Sequence, residues 1–524
     1  MNSKVIFSGA FILLVGNLLS SVLGLSREVI SAAYYGADMQ MDSYLFANTV
    51  PSILLSFIDG ILMAGFIPLF IKKKVNHSAE EASLMLSNMV NWLIVAVLAI
   101  MAVCYAFSHV LSGFFAINEI AHGQIEHLLW ILLPGVLFFS VSYVQTSVLN
   151  SMNHFATPAF LTVMNNVVII LFMVIFHRWL GIDSMAWGFV IGTILQVAVQ
   201  WPVMRKLGVK YRPYMRWKDE DMRKLLAMSL PIVGLVVITQ CVMFATRYFS
   251  AYLDPGSASS LNYASRFIML PVTLFGTALV SASYPAATQM LAEQKMKDFN
   301  AIVMNCIKSL ALILTPIMLI CILFSQNIIR ILLERGAFDA RATHMTATAF
   351  MILSAGIVII PMRDFFNKIF FSKENMRIPI LTSTLYLAVF IVSCLVLVPG
   401  MRYTGIATAS TVASLSSFLF LLYHYRKLDS GIRSGVSSLY FAKIGISSSV
   451  GAGAGYGFYY VCSRSMENHQ MMDFVLVILS ICLSLALYLA LIKLFKIQEI
   501  DYVYEKLASR FKLRKSGAAV VGKS

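Results

Sequence analysis

The chain has 524 residues, 59% of them hydrophobic and 12% charged, with a formal net charge of +15. A soluble domain is about half apolar and about a quarter charged, so the composition excludes an ordinary water-soluble protein. The basic excess sits in short loops and at the C-terminal end, which argues against a nucleic-acid partner and for membrane topology.

Read in chain order, apolar runs of membrane-crossing length recur from end to end. The first span covers about 5–25; Lys4 is its lone positive residue and no A-x-A site follows, so it reads as a retained helix. Arg27 and Glu28 come directly after it. Asp42 opens span 2 (about 43–70), Asp59 falls near the middle of that span, and Lys72, Lys73 and Lys74 close it. Span 3 (about 84–111) leads into 107–126, a stretch without Lys or Arg. Its end, HGQIEH at 122–127, has His and Glu at ligand-like spacing but reads as a solvated outer loop, so no metal is assigned. Spans 4 to 6 (about 128–150, 159–177 and 184–204) precede the densest basic loop, Arg205 to Lys224. Arg247 ends span 7 (about 225–249), and Arg266 opens span 8 (about 267–289). Spans 9 and 10 (about 305–324 and 345–371) flank a loop carrying Arg330, Arg335 and Arg341. Arg363, Asp364 and Lys368 lie in the inner half of span 10, with Asp364 and Lys368 spaced for an i,i+4 pair. Spans 11 to 14 cover about 379–398, 404–424, 440–461 and 473–495, and a solvated basic tail, 496–524, follows. GAGAGYG at 451–457 lacks the Lys-Ser/Thr of a phosphate loop and reads as a small-residue packing face.

The expected fold is an all-α polytopic membrane protein of fourteen spans. Loops rich in Lys and Arg alternate with poor ones, apart from the Arg330–Arg341 stretch, which places both termini in the cytoplasm. Seven cysteines, mostly inside spans and without a CxxC pair, give neither a disulfide framework nor a metal site. Nothing in the chain resembles a nucleophile with its base, a nucleotide fold or a redox centre, so no enzyme is expected.

The chain also resembles itself at an offset of about 220 residues. REVISAAYYG around Arg27 aligns with RYFSAYLDPG around Arg247, DSYLFANTVPS with LNYASRFIMLPV, and VLNSMNHFATP with IFFSKENMRIP. A unit of six spans keeps both copies in one orientation, the parallel kind of transporter repeat. The expected organisation is an N-terminal lobe (1–215), a C-terminal lobe (216–430), a terminal helix pair (431–495) and a cytoplasmic tail (496–524). Rocking of the lobes follows as the default mechanism.

An ionisable group at bilayer depth costs about 2.5–3.5 kcal/mol on insertion scales, so each one is a functional candidate. The candidate substrate-binding set is Arg27, Glu28, Asp42, Asp59, Arg247 and Arg266; Arg363, Asp364 and Lys368 are assigned to a cytoplasmic-side cavity or gate. The plainer reading is that the outer arginines snorkel to headgroups and the span 10 group satisfies itself. Arginine grips phosphate bidentately, so arginines brought by both lobes suit an anionic, phosphate-bearing substrate. An exporter of cations or drugs would favour acidic groups instead.

SSVLGLSREVISAAYYGADMQMDSYLFANTVP resembles the span 1–2 signature of the MurJ (MviN) family of lipid II flippases. LERGAFDARATHMTATA, FFSKENMRIP and NYASRFIMLPVTLFGTALVSASYP resemble further stretches of that family, in order over spans 1 to 12. The resemblance implies the fold of the multidrug/oligosaccharidyl-lipid/polysaccharide exporter superfamily in a bacterial inner membrane. It implies an undecaprenyl-pyrophosphate-linked glycan as substrate, spans 13 and 14 as a groove for the lipid tail, and membrane lipids and cell-wall synthesis proteins as partners. Carried over by residue, the family's cavity positions fall on Arg27, Glu28, Asp42 and Arg266, and Asp59 lies near an acidic position of span 2. Ser21, Leu55 and Ser56 stand where many members carry arginine, which keeps another lipid-linked oligosaccharide open as the substrate. Spans 7 and 11 hold no carboxylate, so the ion site of some members does not carry over. No cofactor is implied, and coupling to an ion or to the membrane potential stays open.

Overall fold

In hydrocarbon every backbone N–H and C=O must find a partner within its own segment, so helices are the available spanning structure for a chain of this pattern. The computed structural model describes residues 3–76, 78–116, 118–209, 211–216, 219–428, 438–464 and 470–497, and these form helices without a strand. Arg433 and the basic tail beyond Ile497 lie outside the described residues.

In chain order, α1 (Ser3–Tyr35) is followed by a broken span: α2 (Met39–Ala47), α3 (Thr49–Ile61), a π-helical turn (Leu62–Phe66) and α4 (Ile67–Asn76). Then come α5 (Ala79–Ala106), the short α6 (Ser108–Gly113), α7 (Glu119–Ser151), α8 (Ala156–Leu180), α9 (Asp183–Lys206) and α10 (Glu220–Ala251). A second broken span consists of α11 (Ser257–Pro271), a π turn (Val272–Thr277) and α12 (Ala278–Ala292). The two spans that contain π turns are the two that the sequence repeat pairs, and such turns concentrate at functional sites. The rest of the chain forms α13 (Met296–Leu323), α14 (Ser325–Leu333), α15 (Ala340–Ser354), α16 (Gly356–Ser372), α17 (Arg377–Met401), α18 (Tyr403–Leu428), α19 (Ser438–Arg464) and α20 (Gln470–Leu494).

Among the described residues, eleven helices or helix runs are long and apolar enough to cross a membrane, and the bent pair α15–α16 makes up to twelve. Fourteen were expected, and α1 and α19 make the difference. Both are long enough to cross, at 33 and 27 residues. The Ser and Gly residues of α19 dilute its apolar character, and the first half of α1 is described by its backbone.

The chain divides into two compact units. The first contains residues 1–267, 332–349 and 383–413. Its water-facing helix starts are capped by side chains: Ser78 accepts the Glu81 N–H at 3.1 Å, Asn118 the Ala121 N–H at 2.8 Å, and Asp219 the Asp221 N–H at 2.9 Å. Lys73 reaches Asp221 at 2.6 Å, and this hydrogen bond pushes the lysine pKa up. Between α7 and α9 a buried polar ladder replaces oil-on-oil contact. Gln200 Nε2 donates to Ser142 Oγ at 2.8 Å, Thr146 donates to Gln200 Oε1 at 3.0 Å, and Ser142 donates to Gln196 Oε1 at 3.2 Å. Lipid tails give helices no hydrophobic reason to associate, so such bonds and close packing do that work.

The second unit contains residues 268–331, 350–382 and 414–524. In it α19 and α20 approach until backbones touch, as the GAGAGYG stretch indicates: a Cβ on Gly455 would lie 2.5 Å from the Ser480 carbonyl oxygen. A polar chain ties this pair to α14. Asn327 donates to Tyr459 at 2.6 Å, Tyr459 donates to Asp473 at 2.9 Å, and Arg330 pairs with the same aspartate.

Three turns in the first unit interlock, backbone against backbone. Gly36 (φ +65°), Gly256 (φ +91°) and Gly336 (φ +61°) all adopt the left-handed region, where glycine alone is unstrained. A Cβ on Gly256 would stand 2.3 Å from the Ala37 carbonyl oxygen, and one on Gly336 would stand 2.2 Å from that of Ala33. The Ala337 N–H also donates to Ala33 O at 2.8 Å, and Tyr263 donates to Gly36 O at 3.1 Å. Gly336→Ala therefore costs about 1–3 kcal/mol in backbone strain alone, before the clash is counted. Thermal unfolding followed with a maleimide dye that reports the buried Cys104 and Cys394 should shift to lower temperature. Gly400→Ala, where a Cβ meets open space, should leave it unchanged or raise it slightly.

Candidate functional site

The intramembrane charges are held by helix ends that the interlocked turns fix. Arg27 and Glu28 lie on α1 about two turns before Gly36, and α11 carries Arg266 about two and a half turns after Gly256. Glu28 is the common acceptor, with a side chain only 4% exposed. Its Oε1 takes a charge-assisted hydrogen bond from Arg27 Nη2 at 2.8 Å and lies 3.7 Å from Arg266 Nε. The two guanidiniums thus share one carboxylate oxygen. Arg27 is mostly buried, whereas the Arg266 side chain is 59% exposed.

Two asparagines complete the setting. Asn166 Oδ1, from the middle of α8, accepts from Arg27 Nη1 at 3.3 Å, while its Nδ2 donates to the Thr162 carbonyl at 3.1 Å. Asn262 Oδ1, on α11, accepts from Arg247 Nη2 at 3.4 Å. The sequence reading passed over both, because neither carries a charge. The signal was there: an amide inside an apolar span needs a partner, and MNN at 164–166 sits in one. Arg27 Nε and Glu28 Oε2 are buried without a hydrogen-bond partner among the described residues.

Asp42, expected in the substrate-binding set, caps the start of α11 in the structure. It is buried, and both its oxygens are taken by backbone donors at the start of α11: Gly256 N–H to Oδ2 at 2.8 Å and Ser259 N–H to Oδ1 at 2.6 Å. A carboxylate there satisfies N–H groups that the helix leaves open and complements its dipole. Arg247 lies within electrostatic reach of it. Asp42 also lines a cavity of about 650 Å³ together with Phe46, Phe115, Asn118, Tyr252 and Arg402. Asp59 stands apart from this group on α3, half-buried, and its carboxylate has no hydrogen-bond or ion-pair partner among the described residues.

The span 10 cluster belongs to the second unit. Asp364 pairs with its neighbour Arg363 at 3.6 Å, while Lys368 sits 6.0 Å from the Tyr284 ring centroid. The i,i+4 pairing of Asp364 with Lys368 is replaced by these contacts, and Lys368 acts on Asp364 as a more distant charge.

A many-spanned helical fold in which two guanidiniums share one buried carboxylate defines the class: a polytopic membrane protein with a charged internal cluster. Comparison with known proteins narrows it. The sequence model of the family described as "Lipid II flippase MurJ" matches residues 31–481, and the chain belongs to that family. A "Probable lipid II flippase MurJ" of Buchnera aphidicola subsp. Acyrthosiphon pisum is 25% identical over 419 residues, 77% of this chain and 80% of the relative. A "Lipid II flippase MurJ" of Burkholderia cenocepacia is 25% identical over 422 residues, 78% of this chain and 82% of the relative. Among solved structures, a lipid II flippase MurJ in an inward closed conformation aligns at a TM-score of 0.79 and 24% identity, covering 93% of this chain and 98% of that one. An inward-facing multidrug resistance MATE family transporter of the MOP superfamily aligns at 0.67 and 14% identity, over 80% and 99% of the two chains. These structural likenesses establish the fold.

The cap assignment for Asp42 is testable. Asp42→Ala leaves two buried N–H groups open, at about 1–3 kcal/mol each, and should lower the unfolding temperature markedly, with Asp42→Asn intermediate. An Asp42→Ala protein as stable as its parent but transport-dead would return Asp42 to substrate contact.

Proposed function

We propose that the chain flips lipid II, a polyprenyl-pyrophosphate-linked wall precursor, from the cytoplasmic to the outer leaflet of a bacterial inner membrane. Family membership and the curated relatives support this reading. The observation that carries it is the Arg27–Glu28–Arg266 arrangement, in which one buried carboxylate holds two guanidiniums in place. Arg27, Arg247 and Arg266 against Glu28 and Asp42 leave one positive charge unmatched, so the site favours an arriving anion. Arg266, exposed and reached by Glu28 only at long range, is the fork most available to a pyrophosphate. Arg27 is held by Glu28 and Asn166 and sets the position of the carboxylate that both arginines share.

The basic ends of α4 and α10 belong at the cytoplasmic face by the positive-inside rule. The interlocked turns at Gly36, Gly256 and Gly336 lie at the opposite ends of α1 and α10, which makes them an outer closure. The site is then closed outward and loads from the cytoplasm, and transport requires those turns to part. This reading involves no catalytic step or cofactor; an ion or the membrane potential is the candidate drive.

A second reading, a different lipid-linked glycan, rests on Ser21, Leu55 and Ser56 standing where many family members carry arginine. The test expresses the chain in a bacterium depleted of its own lipid II flippase and quantifies outer-leaflet lipid II. Rescue is expected, with at least tenfold loss for Arg266→Ala and for Arg27→Lys, which keeps the charge but loses the planar fork. Full rescue by both variants sinks the phosphate clamp. An inserted, folded chain that gives no rescue moves the substrate to another polyprenyl-linked glycan.

A further inference from the structure

The sequence offers two ligand-like residues, His122 and Glu126, an i,i+4 pair on one face of α7. The fold adds a third from outside that motif. The chain breaks at Phe107, and α6 turns back so that His109 lies against α7; the two imidazole centroids are 4.2 Å apart. One donor atom from each of His109, His122 and Glu126 falls within 4.8 Å of the others, and His109 Nδ1 is 3.7 Å from Glu126 Oε2.

We propose that His109, His122 and Glu126 form a binding site for a zinc-class divalent metal ion. Two imidazoles and one carboxylate are a ligand set that borderline ions such as Zn²⁺ favour, with a fourth position left for water. The supporting contacts are those of a built site. His122 Nε2 is hydrogen-bonded at 2.8 Å to the His109 carbonyl, which holds the ring and leaves Nδ1 with the lone pair a metal needs. Ser108 Oγ donates to Glu126 Oε1 at 2.6 Å, orienting the carboxylate with Oε2 toward His109. A tetrahedral site needs donor atoms about 3.3–3.5 Å apart, so the cluster must close by about 1 Å. The His109 side chain is 77% exposed and has the freedom to do so.

The position gives the site a consequence. The link from α6 to α7 supplies Phe115 and Asn118, and the start of α7 supplies Ala121 and Ile125, to the wall of the 650 Å³ cavity that Asp42 also lines. A metal bridging α6 to α7 fixes that wall as a clip between two helices that backbone bonds do not join. The geometry stands independently of the transported substrate.

The test uses the tag-free, full-length protein in detergent, titrated with ZnCl₂ by calorimetry and with CoCl₂ by its visible d–d absorption. One equivalent of Zn²⁺ is expected, with micromolar or tighter affinity, and intense Co²⁺ bands of a four-coordinate site. His122→Ala and Glu126→Gln should each weaken binding about 10–100-fold, while His154→Ala, distant in sequence and bonded to Thr157, should not. His109→Ala keeps the test decisive, since removing an exposed side chain leaves the fold intact; it should abolish the unfolding-temperature rise that Zn²⁺ gives the parent. Failure to bind one equivalent, or full affinity in His109→Ala, overturns the site and leaves a hydrogen-bonded surface cluster.

Discussion

Glu28 is the group on which the proposed transport site depends. A guanidinium withdrawn from water into a lipid-embedded helix bundle is tolerated only when it is paired and hydrogen-bonded. Glu28 meets that demand for Arg27 at 2.8 Å and reaches Arg266 at 3.7 Å with the same oxygen. The sharing has a physical effect beyond tolerance: it keeps two like charges near each other without a ligand. Removing Glu28 would leave the arginines to repel, so the acidic residue of an anion site is part of what makes the site able to take an anion.

The proposed outer closure rests on a different principle. Glycine turns let three chain segments meet at backbone distance, and Asp42 joins them by capping α11 from 214 residues away in sequence. Such a contact suits a gate. Backbone-to-carboxylate hydrogen bonds are directional and all-or-none, unlike apolar packing, so the closed arrangement is well defined and its opening exposes groups that water can satisfy. The arginines that break the positive-inside pattern in the 326–344 stretch have comparable work: Arg330 pairs with Asp473, and Arg341 donates to the Pro255 carbonyl. Both are committed to structural contacts.

How much of this was legible in the sequence follows from the range of each interaction. Spans are local, so apolar runs located them, α19 included: its span was read at about 440–461 despite the Ser and Gly residues that serve helix contact. Arg27, Glu28 and Arg266 announced themselves by charge, and their grouping was implied by the repeat. Asp42 was singled out by its charge, but its partners were not legible, since they are backbone N–H groups and any residue can supply those. Asn166 and Asn262 went unnoticed for want of charge. His109 was invisible as a ligand because its spacing from His122 depends on the break at Phe107, a feature that thirteen residues of sequence do not display.

The broken spans tie these points together. Both π turns follow the segment that carries a site element: α2 and α3 bring Asp42 and Asp59, and α11 brings Arg266. A π turn widens the helix and frees carbonyls, which Ser229 exploits by donating to Ile61 O at 3.2 Å. A helix with one loosened turn bends there at little cost, so motion at the gate end need not be matched along the whole span. Asp59 sits three residues before the first π turn, half-buried and unpaired among the described residues. A bend at that turn would therefore break no hydrogen bond or ion pair of Asp59 among the described residues.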